Sequence, residues 1–202
     1  MDDSSTPCPH TPPPDPAALE SSLHLLRRAS NGDRKALDRL YERHQESIRR
    51  WIHGRLPASA RDRLDADAVL REAFAQALEN LDAQEPGTFW DLMRQMLLER
   101  IEGALRHEKP PVGGDREGPG SDADMSAEEE AVGRTALHSY DRALRRLDPV
   151  ERQALVMRIE MGCSYEDIAA TLGKPSEGAA RMTVCRVLVR LAQEMSRGAS
   201  AP

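Results

Sequence analysis

Apolar positions along this chain fall at steps of three and four, the period of helices that each bury one stripe. The clearest stripe is Leu37, Leu40, Tyr41, His44, Ile48, Trp51 and Ile52, preceded by Asp33, a residue suited to capping a helix. Arg34, Arg39, Arg43, Arg49 and Arg50 mostly occupy its other faces, and Pro57 after Gly54 stops it. A short helix with Leu23 and Leu26 precedes it and ends near Asn31-Gly32. A third helix starts near Asp65 and carries Val69, Leu70, Ala73, Phe74, Ala77 and Leu78, until Pro86-Gly87 breaks the chain. A fourth carries Phe89, Leu92, Met93, Met96, Leu97, Ile101 and Leu105, and ends at Pro110-Pro111.

After a Pro-, Gly-, Asp- and Ser-rich stretch the helical period returns. Leu137, Tyr140, Leu144 and Leu147 mark a helix that ends at Asp148-Pro149. Those two residues open the next one, with Asp148 as N-cap, Pro149 at the first helical position and Glu151 completing a capping box. Leu155, Val156 and Ile159 form its apolar face as far as Gly162. Ser164 caps a short helix, Tyr165 to Leu172, with Asp167 at its third position. Gly173-Lys174-Pro175 makes a tight turn, and Ser176 caps a last helix expected to bury Ala180, Val184, Val187, Leu188 and Leu191.

Composition supports the helical reading. Only 3% of the 202 residues are aromatic, while Ala, Leu, Arg and Glu, all strong helix formers, are abundant. No Val/Ile-rich run reads as a buried strand. The expected fold is all-α, with a four-helix N-terminal domain and a C-terminal helix-turn-helix domain joined by a flexible linker. The expected boundaries are a disordered Pro-rich tail over 1–20, the first domain over 21–108, an acidic linker over 109–133, the second domain over 134–197, and a short tail over 198–202. No apolar run is long enough to cross a membrane, and the acidic N-terminus lacks the features of a signal peptide. Cys8, Cys163 and Cys185 show no metal-ligand or disulfide spacing, which points to a reduced, cytoplasmic protein. No cofactor, metal site or enzymatic centre is expected, since neither the histidines nor the carboxylates form a catalytic pattern.

The net charge of -6 taken alone argues against nucleic acid, but its distribution does not. Residues 108–140 hold eight acids against three bases, whereas 141–202 hold ten bases against eight acids and 21–107 hold 15 bases against 14 acids. Local patches, not the total, decide binding. A short helix, a Gly-containing turn and a longer helix form a helix-turn-helix, which can place the second helix in a major groove. Its outward residues are Ser176, Glu177, Arg181, Met182, Cys185, Arg186 and Arg190, and Arg181 and Arg186 suit phosphates or guanine edges. An ordinary helical hairpin with a solvated arginine face would show the same spacing.

The run from Ala143 to Met195, with its order of Leu147-Asp148-Pro149, Gly162 to Pro175 (GCSYEDIAATLGKP) and an Arg-bearing helix, resembles the C-terminal domain of sigma-seventy-family transcription initiation factors. It is most similar to the small, two-domain extracytoplasmic-function type. The stretch Asp65 to Leu78 resembles the helix by which such factors grip the polymerase clamp, and Phe89 to His107 resembles the helix that opens and reads the minus-ten element. The resemblance implies a factor that binds core RNA polymerase and promoter DNA, with an anti-sigma factor as a further candidate partner. It implies polymerase contacts at Asp67, Arg71 and Glu72, minus-ten contacts at Arg94 and Arg100, and minus-thirty-five reading by the last helix. Ala68 and Arg71 stand where the family usually has an acid and a Gln; Glu99 and Gly103 stand where an Asn and an Asp are common; Thr183 stands where an Arg is frequent. Two alternatives stay open: a helix-turn-helix regulator that acts without polymerase, and a sigma-like interaction protein that does not read DNA.

Overall fold

The computed structural model describes residues 20–61, 64–81, 88–106 and 127–199. Among them every regular element is helical: α1 (Ser22–Ser30), α2 (Arg34–Arg55), α3 (Ala58–Arg61), α4 (Ala66–Glu79), α5 (Phe89–Arg106), α6 (Ala127–Leu144), α7 (Pro149–Leu155), α8 (Tyr165–Thr171) and α9 (Glu177–Ala199). The expected N-terminal tail, apart from Glu20, and most of the expected linker lie outside the described residues.

Local chemistry explains the helix starts. Asp33 accepts hydrogen bonds from the Lys35 and Ala36 amides, and Asp65 does the same for Asp67 and Ala68, so each answers two of the amides a helix start leaves unpaired. In the first block α2 crosses α1, α4 and α5, and the apolar stripes close on one another. Tyr41, Phe74, Phe89 and Trp90 form a chain of edge-to-face rings with centroids 5.0–5.7 Å apart. That geometry sets the positive ring edges against the negative faces.

In the second block α9 packs against α6, α7 and α8. Four expectations need correction here. First, α6 begins at Ala127, so the stretch 127–133, expected as linker, is helical. Second, Asp148 caps α7 through the Glu151 amide, but the Glu151 carboxylate turns to Arg190 rather than completing a capping box. The complete box lies one helix later, where Ser164 and Asp167 cap each other's backbone. Third, α7 runs into a π turn, Val156–Glu160. The wider turn advances the buried face, so Met157 and Glu160 point inward and Ile159, expected in the core, is 52% exposed. Fourth, Leu188, expected in the core, is exposed, and Thr183 is buried on α9. The short α3 is an element that the sequence does not announce.

The two blocks are not held apart. Helix α1 packs on α8, and α2 and α5 pack on the π turn, so the buried core runs on from one block into the other.

Candidate nucleic-acid interface

The reading element is assembled from α8, its turn and α9. Gly173 adopts φ +61°, a left-handed conformation that glycine accepts without strain. The Lys174 amide then reaches back to the Ala169 carbonyl at 2.8 Å. Ser176 Oγ accepts the Ala179 amide at 3.2 Å, which fixes the start of α9. Ala180, Thr183, Val184, Val187 and Leu191 bury one side of the helix. Glu177, Arg181, Met182, Cys185, Arg186 and Arg190 are all exposed on the other. The sequence-predicted reading residues therefore do share the outer surface of one rigid helix.

Their side chains are not equally free. Arg181 makes no hydrogen bond or ion pair among the described residues. The Arg186 Nε donates to the Met182 carbonyl of its own helix at 3.4 Å. Arg190 is braced on α7, with Nη1 2.8 Å from Glu151 and 3.8 Å from Asp148. Thr183, where the related pattern often carries an arginine, lies in the core and bonds the Ala179 carbonyl at 3.0 Å.

In the first block, α4 and α5 bring their candidates together. Phe74 is buried, and Asp67 and Glu72 lie toward solvent. Asp67 accepts from Arg49 Nη2 at 2.5 Å and from Nε at 2.9 Å. Glu72 pairs with Arg100 at 2.8 Å, joining a residue expected to face polymerase to one expected to face DNA. Arg71 is exposed with no partner among the described residues.

Arg94 is placed differently from what the sequence suggests. Its side chain is 14% exposed and points into the seam between the blocks. There Nε donates to Glu160 at 2.7 Å and Nη2 to Asp141 at 2.5 Å. Arg55 completes the cluster, with Nη1 2.9 Å from Asp141 and Nη2 3.5 Å from Glu160, and Tyr140 donates its hydroxyl to Glu160 at 2.9 Å. Burial pushes the Glu160 carboxyl above the usual carboxylate range, and the Arg94 and Arg55 guanidiniums and the Tyr140 phenol pull it part of the way back. Burial works against the charged Arg94, yet Glu160 and Asp141 more than offset it and hold the guanidinium above its ordinary value. Arg55, Tyr140, Asp141 and Glu160 were not singled out by sequence reasoning. No local pattern could have done so, because Arg94 and Glu160 stand 66 positions apart.

Comparison with known proteins settles the family. Residues 137–191 match the family described as sigma-70, region 4. Those residues cover the second half of α6 and the helix-turn-helix. Over 179 residues the chain is 32% identical to the ECF RNA polymerase sigma factor SigM of Mycobacterium tuberculosis, spanning 86% of this chain and 84% of that protein. The chain belongs to the extracytoplasmic-function family of RNA polymerase sigma factors. The RNA polymerase sigma factor CarQ of Myxococcus xanthus is 28% identical over 163 residues, covering 80% of this chain and 90% of that one. A solved structure of CnrH in complex with the cytosolic domain of CnrY aligns with 90% of this chain at 20% identity and a TM-score of 0.37. At that score residue positions are not carried across. The SigM match spans both blocks, so the first block of this sigma factor belongs to the family as much as its helix-turn-helix does. Sigma factors act in transcription initiation. None of the described helices is long and apolar enough to cross a membrane.

Proposed function

We propose that this sigma factor divides its work between its two blocks. The first binds core RNA polymerase through the outer face of α4 and reads the minus-ten element with α5. The second reads the minus-thirty-five element with α9. The observation that carries this reading is Arg181, an exposed and unengaged guanidinium on the first turns of a helix that three others hold in place. A base-reading side chain needs that combination of a rigid mount and a free head group. Exposed Met182 and Cys185 beside it offer apolar contact to a thymine methyl.

The α4 face supports polymerase binding with a mixed surface of Asp67, Arg71 and Glu72. Glu72 already accepts an ion pair from Arg100 of α5, so a basic partner surface would compete with a weak exposed pair rather than a buried one. Charge reversal at both acids, Asp67→Lys with Glu72→Lys, tests this contact. The variant should lose co-purification with core polymerase while its helical circular dichroism stays unchanged. Undiminished co-purification would place the polymerase contact elsewhere.

A further inference from the structure

We infer that the outermost line of α9 is a methyl reader: Met182, Cys185 and Val189 contact the C5-methyl groups of pyrimidines, thymine in ordinary DNA, and Gly178 leaves room for the duplex to close on them. The inference rests on the proposed reading of the minus-thirty-five element by α9 and names what that helix selects there.

Position around the helix carries it. At about 100° per residue, Gly178, Met182, Cys185 and Val189 fall within about 60° of one another. Their line lies roughly opposite Ala180, Val187 and Leu191, which bury the other side of α9. Arg181 and Arg186 stand about 70° to either side of that line, so the charges flank it and uncharged groups hold the middle. Met182 and Val189 are each 60% exposed, and Cys185 is an exposed free thiol. Helix stability does not ask for this arrangement. Valine is β-branched, and Lys, Glu or Gln on the outer face would favour the helix more. Gly178 is equally uncalled for by the fold. A Cβ there would meet only Ser176 Oγ, at 3.8 Å, so the space for a side chain exists and the chain does not fill it. Glycine weakens a helix, and what it gives in return on an outer face is close approach of a ligand to the backbone.

The major groove of DNA is the occupant that matches both the apolar line and its basic flanks. A helix about 10–12 Å across fills a groove about 12 Å wide, so the flanks face the phosphate walls and the middle line faces the base edges. From Met182 to Val189 the axis advances about 10 Å, close to three base steps at about 3.4 Å each. Among the base edges of that groove only thymine presents a carbon group, its C5-methyl. The Met182 thioether, the Cys185 thiol and the Val189 methyls gain apolar contact against it. The same groups set before a guanine O6 or a cytosine amino group strip water from a polar atom and return no hydrogen bond. The line therefore selects thymine over these steps and disfavours G·C pairs, while hydrogen-bonded reading is left to Arg181 at its side.

The test removes the methyl and nothing else. Core polymerase loaded with the full chain is used to enrich duplexes from a randomised minus-thirty-five window. Each thymine of the enriched site is then replaced by deoxyuridine, and binding of the loaded polymerase is measured. Replacement facing α9 should weaken binding by about fourfold, the worth of one methyl group taken out of water. At the same positions 5-methylcytosine should bind better than cytosine by a similar factor. Met182→Ala, Cys185→Ser and Val189→Ser should each erase the thymine–uridine difference at one position and leave it at the others, a coupling that loss of folding does not produce. Gly178→Leu should leave the urea midpoint equal or higher yet weaken binding several-fold. An enriched site without thymine in either strand would overturn the inference. So would a uridine series that is flat throughout, or uridine penalties that persist undiminished in all three variants. Gly178→Leu binding as tightly as the wild type would overturn the close approach of backbone to DNA. A stripe that serves contact between two copies of the chain would show a flat uridine series and a concentration-dependent dimer that Met182→Ser with Val189→Ser abolishes, and it too would overturn the inference. If no sequence is enriched in the window, the reading of the minus-thirty-five element by α9 fails and the methyl reader with it; an enriched site with no methyl dependence sinks the methyl reader alone.

Discussion

His44 shows how far a single residue can be read from its spacing. Its place in the α2 stripe put it in the core, and it is 1% exposed. Its partners were not legible, since Met161 lies 117 positions away. Burial lowers its pKa from the ordinary 6.5 to about 4; the Met161 carbonyl and Asp167 pull it up and Arg43 pulls it down. The folded value lies below the unfolded one, so the stabilising effect is complete above pH 6.5 and is lost as the pH falls toward 4. By pH 5 the loss is about 2 kcal/mol. Urea denaturation at pH 7.5 and pH 5 should show that drop in the wild type and a smaller one in His44→Gln. An equal drop in both would assign the acid sensitivity to other groups. Arg181 and Arg186 give the second residue-scale prediction. Five positions separate them, so they sit roughly 140° apart around the helix and cannot share one base. Arg181, the freer and nearer the N-terminus, should touch a base edge, and Arg186 a phosphate. Arg181→Ala should cost about 1–3 kcal/mol of discrimination between the selected site and scrambled DNA, whereas Arg186→Ala should lower the salt slope by about one. Equal losses on both sequences for Arg181→Ala would remove it from base reading.

At the scale of elements, most helices were legible because period, cap and stop agree. Helix α2 has all three in Asp33, the Leu40–Ile48–Ile52 stripe and the residues before Pro57. The helix-turn-helix was legible for the same reason, with Ser164, Gly173 and Ser176 at its joints. The π turn was not, because a wider turn has no residue signature and only its effect on the pattern, Ile159 out and Glu160 in, betrays it. Helix α5 carries a testable local weakness. Gly103 lies inside it, and a Cβ there would meet nothing within 4 Å. Gly103→Ala should stabilise the protein by about 0.5–1 kcal/mol through lower backbone entropy in the unfolded chain. A rise in the midpoint of chemical denaturation, with an unchanged slope, would confirm it. A fall would mean that the space beside Gly103 is used by a neighbour.

At the scale of the molecule, the chain's organisation into two helical blocks follows from the loss of apolar period around residue 110, but their docking does not. Docking depends on Arg55 and Arg94 meeting Asp141 and Glu160, and these four residues look like ordinary surface charge when read one by one. Sequence reasoning accordingly put Arg94 on DNA, whereas the fold hands it to two carboxylates. The central claim is that this chain, as a sigma factor, confers promoter choice on core polymerase through its helix-turn-helix. The most direct measurement is in vitro transcription by core RNA polymerase over a library of genomic fragments, with the wild-type chain, with Arg181→Ala and with no added factor. The account predicts transcripts from a limited set of fragments that appear only with the wild-type chain and that Arg181→Ala reduces or redistributes. Transcripts that are the same with and without the chain would contradict it.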